Sequence, residues 1–270
     1  MEKINKFFVV GVLICLMIFS GGNGYGKESP QFMEEIKKMP PEIAKASSVS
    51  QVQPFLQSPD IKMRIGAAKR LGEIGDERAV SLLTERFRNE GREETFTCET
   101  ISYVKLEIID ALGKIGGKRA KSALFEIFST YLKQGTRARP PLYFYDDGDY
   151  ASVIRATSEA LYNLYDPKED TEIYDLFKTI ALQEKKDWDI MENGSLRIIA
   201  YAIYLKGEIY IKGLTREEAI KYVDEIYDNP PPWASKYVNG VLAQGYVIMR
   251  AASKLCKEYK FEIYEFEKGK

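Results

Sequence analysis

Two stretches of the chain are copies of one another at an offset of 41 residues, and this limits the possible fold more than any other feature. Met63–Phe87 and Val104–Phe128 agree at ten of 25 positions: Leu71/Leu112, Gly72/Gly113, Ile74/Ile115, Gly75/Gly116, Arg78/Arg119, Ala79/Ala120, Ser81/Ser122, Leu83/Leu124, Glu85/Glu126 and Phe87/Phe128. In each copy apolar residues recur every three or four positions, pause at a glycine-containing turn and resume. The first unit carries Ile61, Ile65, Ala68, Leu71 and Ile74, then Ala79, Leu82, Leu83 and Phe87; the second carries Leu106, Ile109, Leu112 and Ile115, then Ala120, Ala123, Leu124 and Phe128. That spacing predicts two amphipathic helices per unit. A single hairpin cannot bury both stripes, so a period near 40 residues predicts hairpins that bury them by stacking on their neighbours.

Local signals agree with the period. Asp60 is placed to cap the first helix, Gly75 to end it and Asp76 to cap its partner. The small residues at Gly72/Gly113 and Ala79/Ala120 predict close approach of the two helices within a pair. A third unit is legible in Val153, Ala156, Ala160, Leu161 and Leu164, followed by Asp166-Pro167-Lys168-Glu169 as cap and first turn and by Ile173, Leu176, Phe177 and Ile180. A fourth runs through Leu196, Ile199, Ala202, Ile203 and Leu205, turns near Gly213 and restarts at Thr215, whose spacing to Glu218 is that of a capping box. A fifth is a long helical stretch from about Trp233 to Tyr259, and the tail Phe261–Phe266 alternates apolar and acidic residues as an extended segment would. Residues 27–57 are irregular, as a region capping the exposed end of a stack must be.

The residues Arg64, Ala67, Leu71, Gly72, Ile74, Gly75, Asp76, Arg78, Ala79 and Leu83 form a pattern that resembles the HEAT-like repeats first associated with phycobilisome lyases. The second copy keeps Lys105, Leu112, Gly113, Ile115, Gly116, Arg119, Ala120 and Leu124 but has Gly117 where the pattern has aspartate. The resemblance covers residues 58–133. It implies an all-α chain, an α-solenoid of about five HEAT-like helical hairpins spanning 58–270. These are helix-packing positions, so the resemblance transports fold and not bilin lyase activity.

Lys3 and Lys6 precede a 13-residue apolar run, Phe7–Phe19, and the small, flexible segment Ser20–Gly26 follows it. The run falls short of the roughly 20 residues that cross a bilayer and suits a secretory signal, predicted over residues 1–26. The chain is therefore expected to be exported, periplasmic or secreted. Cys15 sits inside the run behind Ile14 rather than just after it, so a lipid anchor is not expected. Cys98 and Cys256 then remain, too far apart along a stack of repeats to bridge, and are read as separate thiols.

Charge and composition exclude several functions. With 39 basic and 40 acidic residues interleaved, no field favours nucleic acid or an anionic membrane. The chain has no histidine, which removes histidine acid–base catalysis, Ser-His and Cys-His nucleophiles and His-containing metal sites. No cofactor and no catalytic residue is predicted. Asp146, Asp147 and Asp149 cluster, but they lack the ligand spacing of a calcium loop, and a solvated turn with Asp149 capping the next helix is the reading preferred.

Aromatic residues give the remaining clue. Of 18 tyrosines, 16 lie at or after Tyr131. Tyr162, Tyr165, Tyr174, Tyr201, Tyr204 and Tyr222 fall at helical spacing and read as core. Two insertions rich in proline and turn formers, Gly135–Tyr150 and Asp228–Trp233, read as loops. Tyr143, Phe144, Tyr145 and Tyr150 in the first and Trp233 in the second are the candidate partner-binding residues, because aromatics in loops suit recognition. The sequence thus points to a non-catalytic protein-binding or scaffolding module of the cell envelope. A glycan or cell-wall ligand, or less favourably a carboxylate-based polysaccharide hydrolase, is the alternative.

Overall fold

A computed structural model describes residues 38–90, 98–135, 147–182 and 194–228 of the chain. The chain divides into two units, Met1–Lys38 and Met39–Lys270, and every described helix lies in the second. Among the described residues there are ten α-helices, one 3-10 helix and no strand. Two short helices, α1 (Pro41–Ala44) and α2 (Val49–Val52), and the 3-10 helix Gln53–Gln57 come first. They lie against α3 (Ile61–Ile74) and bury Ile43, Val52 and Leu56.

From α3 onward the helices pair in chain order. They are α4 (Ala79–Asn89), α5 (Cys98–Ile115), α6 (Gly117–Gly135), α7 (Asp147–Leu164), α8 (Thr171–Leu182), α9 (Gly194–Ile211) and α10 (Arg216–Asp228). The first helices of the hairpins form a row, α3 against α5, α5 against α7 and α7 against α9. Each second helix also meets the next hairpin: α4 touches α5, α6 packs on α7, and α8 packs on α9. Every hairpin thus contacts its sequence neighbours, which is the arrangement of an α-solenoid. Four hairpins are described. The predicted fifth unit, the extended tail Phe261–Phe266, the signal segment 1–26 and Cys256 lie outside the described residues.

The core follows the predicted stripes. Ile65, Ala68, Leu71, Leu83 and Phe87 of the first hairpin are buried, as are Ile109, Leu112, Ala120, Leu124 and Phe128 of the second. Stripe residues at the helix ends, Ile61, Ile74 and Ile115, are half-buried. The second helices join through aromatic pairs, Phe87 with Tyr131 at 5.9 Å and Phe128 stacked on Phe177 at 4.8 Å.

Capping is equally local. Asp60 Oδ1 accepts the Lys62 amide at 2.8 Å, and Gly75, at φ 70°, closes α3 by donating to the Leu71 carbonyl at 3.1 Å. Asp76, expected to cap α4, instead opens the turn before it: it accepts the Arg78 amide at 2.9 Å and grips its guanidinium, so that Arg78 holds the carboxyl down to about 2, while α4 starts at Ala79 behind Arg78 with no side-chain cap. In the second hairpin Gly117 replaces that aspartate. The turn there shrinks to Gly116 and Gly117, both at positive φ (65° and 72°), and α6 starts at once. Thr215 and Glu218 form the predicted capping box: the Thr215 amide donates to Glu218 Oε2 at 2.8 Å and the Glu218 amide to Thr215 Oγ1 at 3.3 Å.

Three further expectations need correction. Asp166 opens a turn instead of capping α8: its side chain accepts the Lys168 amide, and α8 starts at Thr171 behind Asp170. Asp170 is held there by Lys121 of α6, 2.6 Å away, with both side chains at least 86 % buried. Next, α7 begins at Asp147, so Asp147–Tyr150 belong to a helix and not to the loop, and Asp149 lies within the helix instead of preceding it. Finally, Gly72 does not serve the approach of α3 to α4. A Cβ at Gly72 would lie 2.7 Å from Ala111 Cα, so this glycine admits α5 of the next hairpin.

Candidate functional site

The same packing that closes α3 onto α5 leaves α5 and α7 further apart. Gly113, the counterpart of Gly72, would place a Cβ 3.5 Å from Ala160 Cβ, an ordinary contact distance. Between these helices runs a groove of about 370 Å³. Its floor is apolar: Leu106, Ile109 and Gly113 from α5, Ala156 and Ala160 from α7. Its rim is polar, with Asp110, Lys114, Glu159 and Asn163. The opening exists because three of the facing residues, Gly113, Ala156 and Ala160, have side chains too small to fill it.

Charge is arranged along the α5 side. Asp110 and Lys114, one helical turn apart, form an exposed ion pair at 2.5 Å, and this bond raises the Lys114 ammonium above its ordinary range. Glu107 behind them is raised first by burial and then by the Asp110 carboxylate. An apolar floor with a few fixed polar groups at its edge is the usual make-up of a site that orients a ligand segment. The groove escaped sequence reasoning, although its signal was present in the small residues facing each other at 113, 156 and 160.

The tyrosine-rich half forms a second feature. Tyr162, Tyr165, Tyr174 and Tyr201 are buried and Tyr204 and Tyr222 half-buried, as the core reading of these six required. Lysines cover several rings: Lys178 lies 5.2 Å from the Tyr174 centroid, Lys206 is 5.7 Å from Tyr162 and from Tyr165, and Lys212 is 4.0 Å from Tyr222. The Tyr174 hydroxyl donates to Glu208, and Lys178 lies 3.4 Å from the same carboxylate. Gly207 permits this arrangement, since a Cβ there would overlap the Tyr174 ring and lie 2.9 Å from the Tyr165 hydroxyl. Burial first, and then the neighbouring Tyr222 hydroxyl and Glu208 carboxylate, push the Tyr204 hydroxyl up to about 12.

Glu208 yields a pH prediction. Burial alone would raise its carboxyl, but the Tyr174 hydroxyl and the Lys178 and Lys212 ammonium groups outweigh burial and hold it below its ordinary range. A carboxyl lowered in the folded state contributes stability above its unfolded pKa and loses it as pH falls through the folded value. Wild type is therefore expected to melt lower in acid more steeply than Glu208→Gln, with the two melting temperatures converging at the lowest pH. Parallel pH profiles would show that this carboxylate contributes nothing to the acid response.

The five predicted partner-binding residues divide into two groups. Tyr143, Phe144, Tyr145 and Trp233 lie outside the described residues, and Tyr150 occupies the first turn of α7. Among the described residues no group of histidine, cysteine, aspartate or glutamate could hold a metal ion, and no helix is long and apolar enough to cross a membrane.

Among the described residues the stacked hairpins define the class: an all-helical α-solenoid with a HEAT-like repeat. The family model of the PBS lyase HEAT-like repeat matches residues 63–89, from within α3 to the end of α4. No curated protein and no solved structure matches the chain.

Proposed function

We propose that this protein is an exported, non-catalytic module that binds a protein or peptide partner in the cell envelope. The observation that carries the reading is the α5–α7 groove, an apolar channel with a polar rim set between two helices of a repeat stack. Helix pairs held by neighbours on both sides present such a surface ready-made, so little ordering entropy opposes association. The aromatic residues Tyr143, Phe144, Tyr145, Tyr150 and Trp233 supply further contact area. Export rests on the charged and apolar pattern of residues 1–26.

Two experiments test this. Fractionation of cells expressing the full chain is expected to place it in the envelope or medium, shortened by its first segment; full-length protein in the cytoplasm would refute export. Affinity capture from the envelope fraction is expected to retain one defined polypeptide, lost with Ala156→Arg, which fills the groove, while circular dichroism stays unchanged. Equal retention by wild type and Ala156→Arg would move the binding surface away from the groove.

A further inference from the structure

Along the row of first helices, charges match at one joint and not at the next. At the offset of 41, Lys69 and Glu73 of α3 correspond to Asp110 and Lys114 of α5, so each position meets the opposite sign across the joint. The charges of α3 reach α5. Burial raises the Glu107 carboxyl while Lys69 pulls it down, and the Lys114 ammonium, raised first by its bond to Asp110, is raised further by Glu73.

The next joint is built differently. At an offset of 49, Val104, Ala111 and Leu112 of α5 recur as Val153, Ala160 and Leu161 of α7, all buried. The same offset carries Asp110 to Glu159 and Lys114 to Asn163. These four residues form the rim of the α5–α7 groove, two on each side. Carboxylate thus stands across from carboxylate, and the ammonium stands across from a neutral amide. Arg155, one turn before Glu159, is exposed and is not part of the rim.

We propose that the α5–α7 groove takes a peptide segment of the partner that carries a bulky apolar side chain beside a lysine or arginine. This rests on the groove being the binding surface proposed above, and names what fits it. The apolar side chain lies on the floor of Leu106, Ile109 and Ala156, where the small residues Gly113 and Ala160 leave room. The basic group enters between Asp110 and Glu159. Those two carboxylates share the rim with one ammonium, that of Lys114, which is bonded to Asp110 at 2.5 Å. A cation from the partner brings the rim to neutrality, whereas an acidic segment would add a third carboxylate to it.

Random peptides displayed on phage, selected against the immobilised full chain, test this. Wild type is expected to select peptides that join a basic to a bulky apolar residue. Their Kd, read by fluorescence anisotropy, is expected to rise severalfold in Glu159→Gln and with added salt, and Glu159→Lys is expected to lose the basic preference in its own selection. Circular dichroism checks the fold of each variant, and Glu159→Gln, which keeps the side-chain shape, carries the test if Glu159→Lys loses helicity. Peptides that are lost with Ala156→Arg but lack a basic preference, or bind Glu159→Gln as tightly as wild type, would overturn this inference and leave the groove as the binding surface. Peptides that bind Ala156→Arg as well as wild type, or a selection that yields none, would overturn both.

Discussion

Replacing Glu90 with alanine is expected to destabilise the first hairpin by about 3–5 kcal/mol, the usual effect of removing one partner from a buried ionic cluster. Glu90 is the acceptor for both Arg64 and Arg86, whose side chains are 0 % and 3 % exposed, so neither guanidinium can turn to water when the carboxylate is lost. The pair Arg88–Glu126 makes the contrast. Its side chains are 58 % and 60 % exposed, and Glu126→Ala is expected to cost less than about 1 kcal/mol because solvent screens and replaces the interaction. Urea unfolding followed by helical circular dichroism measures both. Equal losses for Glu90→Ala and Glu126→Ala would show that the buried cluster is not isolated from water.

Alanine at Gly72 and at Gly113 is expected to act with opposite signs, although the two positions are equivalent in the repeat. In a helix interior, glycine to alanine ordinarily stabilises by about 0.5–1 kcal/mol by reducing the freedom of the unfolded chain. Gly113→Ala should follow that rule, since the added methyl meets only Ala160 Cβ at 3.5 Å. At Gly72 the methyl would lie 2.7 Å from Ala111 Cα and 3.0 Å from its Cβ. A backbone atom cannot rotate away, so α3 and α5 must separate along their shared face. Overpacking of this kind costs about 1–3 kcal/mol, more than the entropic gain returns. A lower unfolding midpoint for Gly72→Ala beside a raised one for Gly113→Ala is the expected outcome. A shift in the same direction for both would mean that the two helix contacts are alike.

Particular residues show what was legible before the structure. Asp60, Gly75, Thr215 and Glu218 act where their spacing placed them, because a cap joins atoms only two to four residues apart. Asp166 misled because a second aspartate four residues on, held by Lys121 from another helix, takes the cap position. The pattern aspartate at 76 was read as a cap, yet much of its capacity goes to the Arg78 side chain. The groove left only a faint trace in the sequence, the small residues at 113, 156 and 160. Its residues lie 42 or more positions apart across the α5–α7 gap, and nothing local announces how far those helices separate.

The helices of the two aligned repeats and the caps at Asp60, Gly75 and Thr215 were determined by the amino-acid order alone, because periodicity and capping are short-range effects carried by neighbours along the chain. Only the tertiary structure decided which small residue is pressed against a backbone and which borders a groove, and which carboxylate two buried arginines share. Those outcomes depend on the distance and angle between helices, set by all their contacts together, so that identical residues in successive repeats, such as Gly72 and Gly113, meet different surroundings.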